Sequence, residues 1–148
     1  MSGITVKALL QGIIDAVEGV SLPNTNTPEG KAHPGDTFRG VIGYEQIDGA
    51  DRTFRIVPGI PVRNHITSSQ REMRIDLLMV VYYSETETVW ERVANDGILL
   101  IDTLSAWPST QSEVHDLRLQ PGIAQQGQND GTLEAQIVMT AIWRWSGP

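Results

Sequence analysis

The stretch at residues 73–83 constrains this chain most: Met73-Arg74-Ile75-Asp76-Leu77-Leu78-Met79-Val80-Val81-Tyr82-Tyr83. Its first half alternates apolar and charged side chains, the period of a half-buried β-strand. Its second half is apolar on both faces, as expected for a central strand covered on both sides. A second long alternation closes the chain at residues 133–145. Leu133, Ala135, Ile137, Met139, Ala141, Trp143 and Trp145 fall on one face of it. Glu134, Gln136, Thr140 and Arg144 fall on the other, interrupted by Val138 and Ile142.

Two helical patterns accompany these strands. In residues 4–20, Val6, Leu10, Ile13, Val17 and Val20 keep helical spacing, Leu9 and Ile14 widen the stripe, and Gly19 offers a stop. The second pattern starts at Ser84, where Ser84 and Glu87 fit a capping box. Val89, Val93, Leu100 and Leu104 make its buried stripe, with Trp90, Gly97 and Ile101 beside it, and Pro108 closes it. Gly97 costs about 1 kcal/mol against Ala in mid-helix, which predicts a break or a close contact there. Residues 37–44 and 53–57 read as short strands, and the Asp48-Gly49 signal between them predicts a hairpin. Residues 113–119 form one more strand.

The order is helix, paired short strands, long strand, long helix and two antiparallel strands. It predicts one α+β domain over residues 1–148, a mostly antiparallel β-sheet with two helices packed on one face. Two polar loops interrupt it, at residues 23–36 and 121–131. The first holds three prolines and two glycines, and the second is rich in Gly and Gln.

Composition excludes several function classes. With 148 residues the chain suits one domain. Its formal net charge of -7 opposes nucleic-acid wrapping, which needs clustered Lys and Arg. Cysteine is absent, which removes disulfides, thiolate catalysis and cysteine-ligated metals. No secretory leader and no membrane-length apolar run is legible, so a soluble protein made in the cytosol is expected.

Catalytic signals are equally sparse. His33, His65 and His115 lie in separate segments without metal-binding spacing. No phosphate-binding glycine loop and no nucleophile elbow occurs. Glu85 and Glu87 sit where a helix dipole favours negative charge, and Asp15 and Glu18 lie at helix-surface spacing. The expectation is no enzyme, no metal and no cofactor.

Binding surfaces are more promising. Trp143 and Trp145 share a strand face, where they either cap the core or, with Arg144, lie at a subunit contact. The polar loops suit docking on a partner. The candidate interface is therefore Trp143, Arg144 and Trp145 on the last strand, Glu29, Lys31 and His33 on the first loop, and Gln125, Gln126 and Asn129 on the second.

The chain resembles the tail terminator (tail completion) proteins of long-tailed bacteriophages, the minor tail protein U group. The likeness lies in the N-terminal helix at Val6-Lys7-Ala8-Leu9-Leu10 and in the strand at residues 74–83. It continues through the helix reaching Asp96-Gly97-Ile98-Leu99-Leu100-Ile101-Asp102-Thr103-Leu104 and the closing strand at residues 135–145. It spans about 100 residues, the scale of one domain, and is one of pattern more than of signature. The resemblance implies a small α+β domain that forms a homo-oligomeric, hexameric ring on the finished tail tube. It implies contacts with the tail tube protein and the head connector or neck protein, and no catalysis. The ring would be assembled in the host cytoplasm, reside in the virion, and let DNA pass through without specific binding. The loop at residues 23–36 departs from the simple form of that family.

Three other readings remain open on sequence. A head–tail joining or neck protein has similar size and also forms rings. A small α+β enzyme or ligand-binding domain would need a cleft that gathers polar groups such as Asp76, His115 and Arg118. A toxin–antitoxin or regulatory partner is compatible with the acidic charge.

Overall fold

A computed structural model describes residues 3–20, 22, 37–43, 51–63, 72–84, 89–122, 125–126 and 132–145. Its elements in chain order are α1 (Val6–Glu18), β1 (Arg39–Ile42), β2 (Thr53–Pro58), β3 (Val62–Arg63), β4 (Glu72–Ser84) and α2 (Val89–Ala106). A 3-10 turn (Trp107–Thr110) leads on to β5 (Val114–Pro121), β6 (Gln125–Gln126) and β7 (Thr132–Arg144). This is the expected α+β architecture. The main sheet runs β1-β2-β4-β7-β5, with β3 added beside β4 and β6 beside β7.

The two strongest strand patterns become the two longest strands, and they pair with each other. β4 and β7 are antiparallel from Glu72↔Arg144 to Ser84↔Thr132. The odd-numbered residues of both strands turn inward. Ile75, Leu77, Met79, Val81 and Tyr83 meet Leu133, Ile137, Met139, Ala141 and Trp143 in one core. β4 is central in the sheet, as its sequence predicts. Its even-numbered face, however, carries no helix among the described residues.

Both helices cover the odd face. α1 contributes Leu9, Leu10, Ile13, Ile14 and Val17, and α2 contributes Val89, Leu100 and Leu104. Thr5 caps α1, its hydroxyl accepting from the Ala8 amide at 3.1 Å. The helices meet where Trp107 lies on Gly12; a Cβ on Gly12 would come within 2.9 Å of the indole. Gly40 is tighter still, because the Phe54 ring lies 2.2 Å from where its Cβ would be. That ring stands edge-on to Phe38 at a centroid distance of 6.3 Å.

Two local expectations are corrected. The short strands form no hairpin, because β1 and β2 are parallel, with Arg39↔Thr53 and Ile42↔Ile56. The Arg39 amide donates to the Arg52 carbonyl, so β2 begins beside the start of β1 rather than beside its end. Alternation reveals strands but not their direction, and a turn signal is purely local. The Asp48-Gly49 signal lies outside the described residues. The capping box also fails. Ser84 is the last residue of β4, held opposite Thr132, and its amide donates to Asp51 Oδ1 at 3.0 Å. Cross-strand pairing with the long β7 keeps this residue in the ladder, and α2 begins at Val89. Glu87 lies outside the described residues.

α2 runs through Gly97 without a break. No atom lies within 4 Å of where a Cβ on Gly97 would stand, so neither a kink nor a tight contact explains this glycine.

Candidate functional site

The C-terminal tryptophans divide in role. Trp143 is wholly buried, and its Nε1 donates to the Ile4 carbonyl at 3.1 Å. Its inward position on β7 places it under α1, which removes it from any subunit contact. Trp145 is half-buried, packs against the core and bridges to Ile4. Arg144 lies on the opposite face, half-buried, and its amide donates to the Glu113 carbonyl. Gln125 and Gln126 form β6, paired with β7 at Glu134 and Leu133. Glu29, Lys31, His33 and Asn129 lie outside the described residues. Of the candidates, the structure thus leaves Arg144 and Trp145 partly accessible, on opposite faces at the end of β7.

Asp76, His115 and Arg118 also fail to converge on a cleft. Asp76 accepts from the Thr140 hydroxyl at 3.0 Å on the helix-free face of the sheet. Arg118 stands opposite Thr140 on the other side and pairs with Asp116 at 2.9 Å. A bulge between Val114 and Asp116 turns His115 toward Glu72, with Nδ1 3.0 Å from Oε2. These groups are spread over an open sheet, where water screens them. Among the described residues no group of three or more acidic or histidine side chains could hold a metal ion.

That helix-free face is mixed in character. Val57, Leu78, Val80, Val138 and Ile142 alternate with the polar residues around them. Val138 is 45% exposed, whereas Val80 is nearly buried. Arg55 lies over the Tyr82 ring at 5.8 Å and donates through Nε to its hydroxyl. Charged, hydrogen-bonded side chains among small apolar ones are common in interface rims.

A second surface lies on the helical side. α2 and the corner between β5 and β7 enclose an open, mostly apolar groove of about 240 Å³. Val81 and Ile137 form its floor, Gly97 and Ile101 one wall, and Pro121 and Gly122 the other. The missing side chain at Gly97 keeps the groove open. Trp90 and Ile98 rise beside it, 58% and 60% exposed.

Sequence reasoning missed a buried charge cluster. Arg52, 4% exposed, points both Nε and Nη2 at the carboxylate of Asp96, which is 1% exposed, at 2.8 Å each. The Tyr83 hydroxyl donates to Asp96 Oδ2 at 3.0 Å. Burial and then the Asp96 charge push the Tyr83 phenol far above its ordinary range. Arg52 has a φ of 60°, a left-handed conformation that non-glycine residues rarely adopt, and its guanidinium lies 6.0 Å from the Phe38 ring centroid. Next to it, Asp51 pairs with Arg92 of α2. The cluster ties the start of β2 to the end of β4 and to α2. A signal was available: Asp96 occupies the buried spacing of Val89, Leu100 and Leu104. A charge on an apolar stripe announces a buried partner. The cluster is a lock within the fold, and its Tyr83 also lines the groove beside α2.

No protein-family model matches the chain, and no curated protein matches it significantly.

Proposed function

We propose that this chain is a structural virion protein, a phage tail terminator. It closes as a homo-oligomeric ring at the head-proximal end of the tail tube, stops tube growth and joins the tail to the head connector. One observation carries this reading: the sheet ends in two unlike edges. β1 lies at one side and β5 at the other, and among the described residues neither pairs with a further strand outward. Unlike contact surfaces on one subunit give head-to-tail association, which closes into a ring or continues as a filament. A closed ring also covers strand edges that would otherwise template unwanted pairing. The one-sided helix cover supports the same reading, since among the described residues it leaves the opposite sheet face without a helix, toward tube or connector.

The order of elements that carries the family resemblance is present as folded elements: α1, then β4 leading to α2, then β7. The acidic balance suits a conduit. A ring whose subunits each carry a net charge of -7 offers the phosphate backbone little attraction and would let DNA slide past.

A tube-capping assay tests the proposal. Purified protein added to polymerising tail tubes should arrest their growth and appear as a ring at one tube end in negative-stain images. Tubes that lengthen unchecked, with ends free of added density, would refute it.

A further inference from the structure

The most exposed large apolar side chain described is Ile60, 88% accessible. It stands in Pro58-Gly59-Ile60-Pro61, where each proline fixes its own φ. The Gly59 amide donates to the Asp76 carbonyl at 2.7 Å and anchors the corner to β4. Ile60 is therefore a pre-organised knob, which loses little freedom on docking. Single exposed apolar residues are ordinary. This one has a counterpart on the same chain, the groove beside α2.

The two surfaces complement each other in charge as well as shape. Arg63 and Arg74 flank the knob, both exposed, with β3 pairing Val62↔Arg74 and Arg63↔Met73. Glu91 and Asp102 are exposed on α2. At 100° per residue they lie on the flank of the ridge formed by Trp90, Ala94 and Ile98. Two exposed arginines beside the apolar knob, with the exposed Asp76 at its anchor, thus match an acidic border beside an apolar socket.

The knob cannot fill its own socket. It is anchored at Asp76, whereas the near edge of the socket, Ile137, stands opposite Met79, three residues or about 10 Å further along β4 and one strand across. The contact must join two copies, and it joins unlike surfaces, as ring closure requires. We propose that Ile60 of one copy seats in the groove beside Trp90 and Ile98 of the next copy. This inference rests on the reading of the chain as a self-assembling ring subunit, and it names the contact that builds the ring.

The absence of native cysteine makes a cross-linking test clean. Ile60→Cys and Ile98→Cys are prepared separately and together, with Ile60→Cys plus Gln120→Cys as a control pair. Circular dichroism checks each fold. Under mild oxidation, mixing the two single variants should give a disulfide-linked dimer that forms at least tenfold faster than in the control pair. The double variant should give a ladder of larger species. Arg63→Glu should slow the cross-link about threefold, the size of one exposed ion pair, and Glu91→Arg should restore it. Light scattering on the unmodified protein separates the two claims. Oligomers without preferential 60–98 cross-linking overturn this contact and leave the ring standing. Monomers without cross-linking at high concentration also overturn it, and tube capping then decides the ring on its own.

Discussion

Arg52 and Asp96 are separated by 44 positions in sequence and joined by two 2.8 Å hydrogen bonds in the core. This pair links the entry to β2 with the middle of α2, and it holds Arg52 in a backbone conformation that few residues tolerate. Planar, two-pronged pairing of this kind suits arginine and not lysine.

Removing one partner should cost far more than the pair contributes. Asp96→Ala leaves a guanidinium buried without its carboxylate, and should destabilise the fold by about 3–5 kcal/mol. The conservative variant Arg52→Lys loses the second prong and should fall well short of wild type. Urea unfolding monitored by tryptophan fluorescence measures both.

Tyr83 gives the fold an alkaline limit. Its folded-state pKa is raised, by burial first and by Asp96 second, so the folded protein holds the phenolic proton that the unfolded chain releases near pH 10. The contribution is fully present below about pH 10 and is lost as pH rises beyond it, at about 1.4 kcal/mol per pH unit. Tyr83→Phe should remove that extra alkaline slope and cost about 2 kcal/mol at neutral pH through the lost hydrogen bond to a charged group. Absorbance at the phenolate band should show that, of three tyrosines, Tyr83 ionises only on unfolding.

Gly40 is a packing glycine. Gly40→Ala places a methyl group on the Phe54 ring and should destabilise by about 1–3 kcal/mol. Gly97→Ala meets nothing within 4 Å, and should stabilise α2 by up to about 1 kcal/mol while narrowing the groove. Thermal melts of the two variants should move in opposite directions.

The two C-terminal tryptophans should separate in the same way. Trp143→Ala empties a wholly buried site and orphans the Ile4 carbonyl, at about 3–5 kcal/mol. Trp145→Ala removes a half-buried side chain and should cost less than half as much. Parallel denaturation curves give both values.

Much of this fold was legible in the sequence because burial writes itself as periodicity. The inward faces of β4 and β7 are the apolar residues that alternation assigns to them, and α1 buries its predicted stripe. What escaped notice is non-periodic. The direction of β1 against β2 depends on where Arg52 is anchored, and that depends on Asp96, a long-range pairing with no local signature. The capping box at Ser84 was a true local signal overruled by β7, whose length keeps Ser84 in the ladder. Trp143 was legible as apolar, but only the fold distinguishes a core indole from an interface indole. The groove depends on a missing side chain at Gly97 and on the approach of Pro121, which only the fold brings together.

The most direct test of the central claim is the mass of the purified protein by light scattering, alone and after addition of tail tubes, with negative-stain images of both samples. The account predicts a closed ring, hexameric by the family resemblance, either free in solution or on one end of each tube. A chain that stays monomeric and leaves tube ends bare would contradict it.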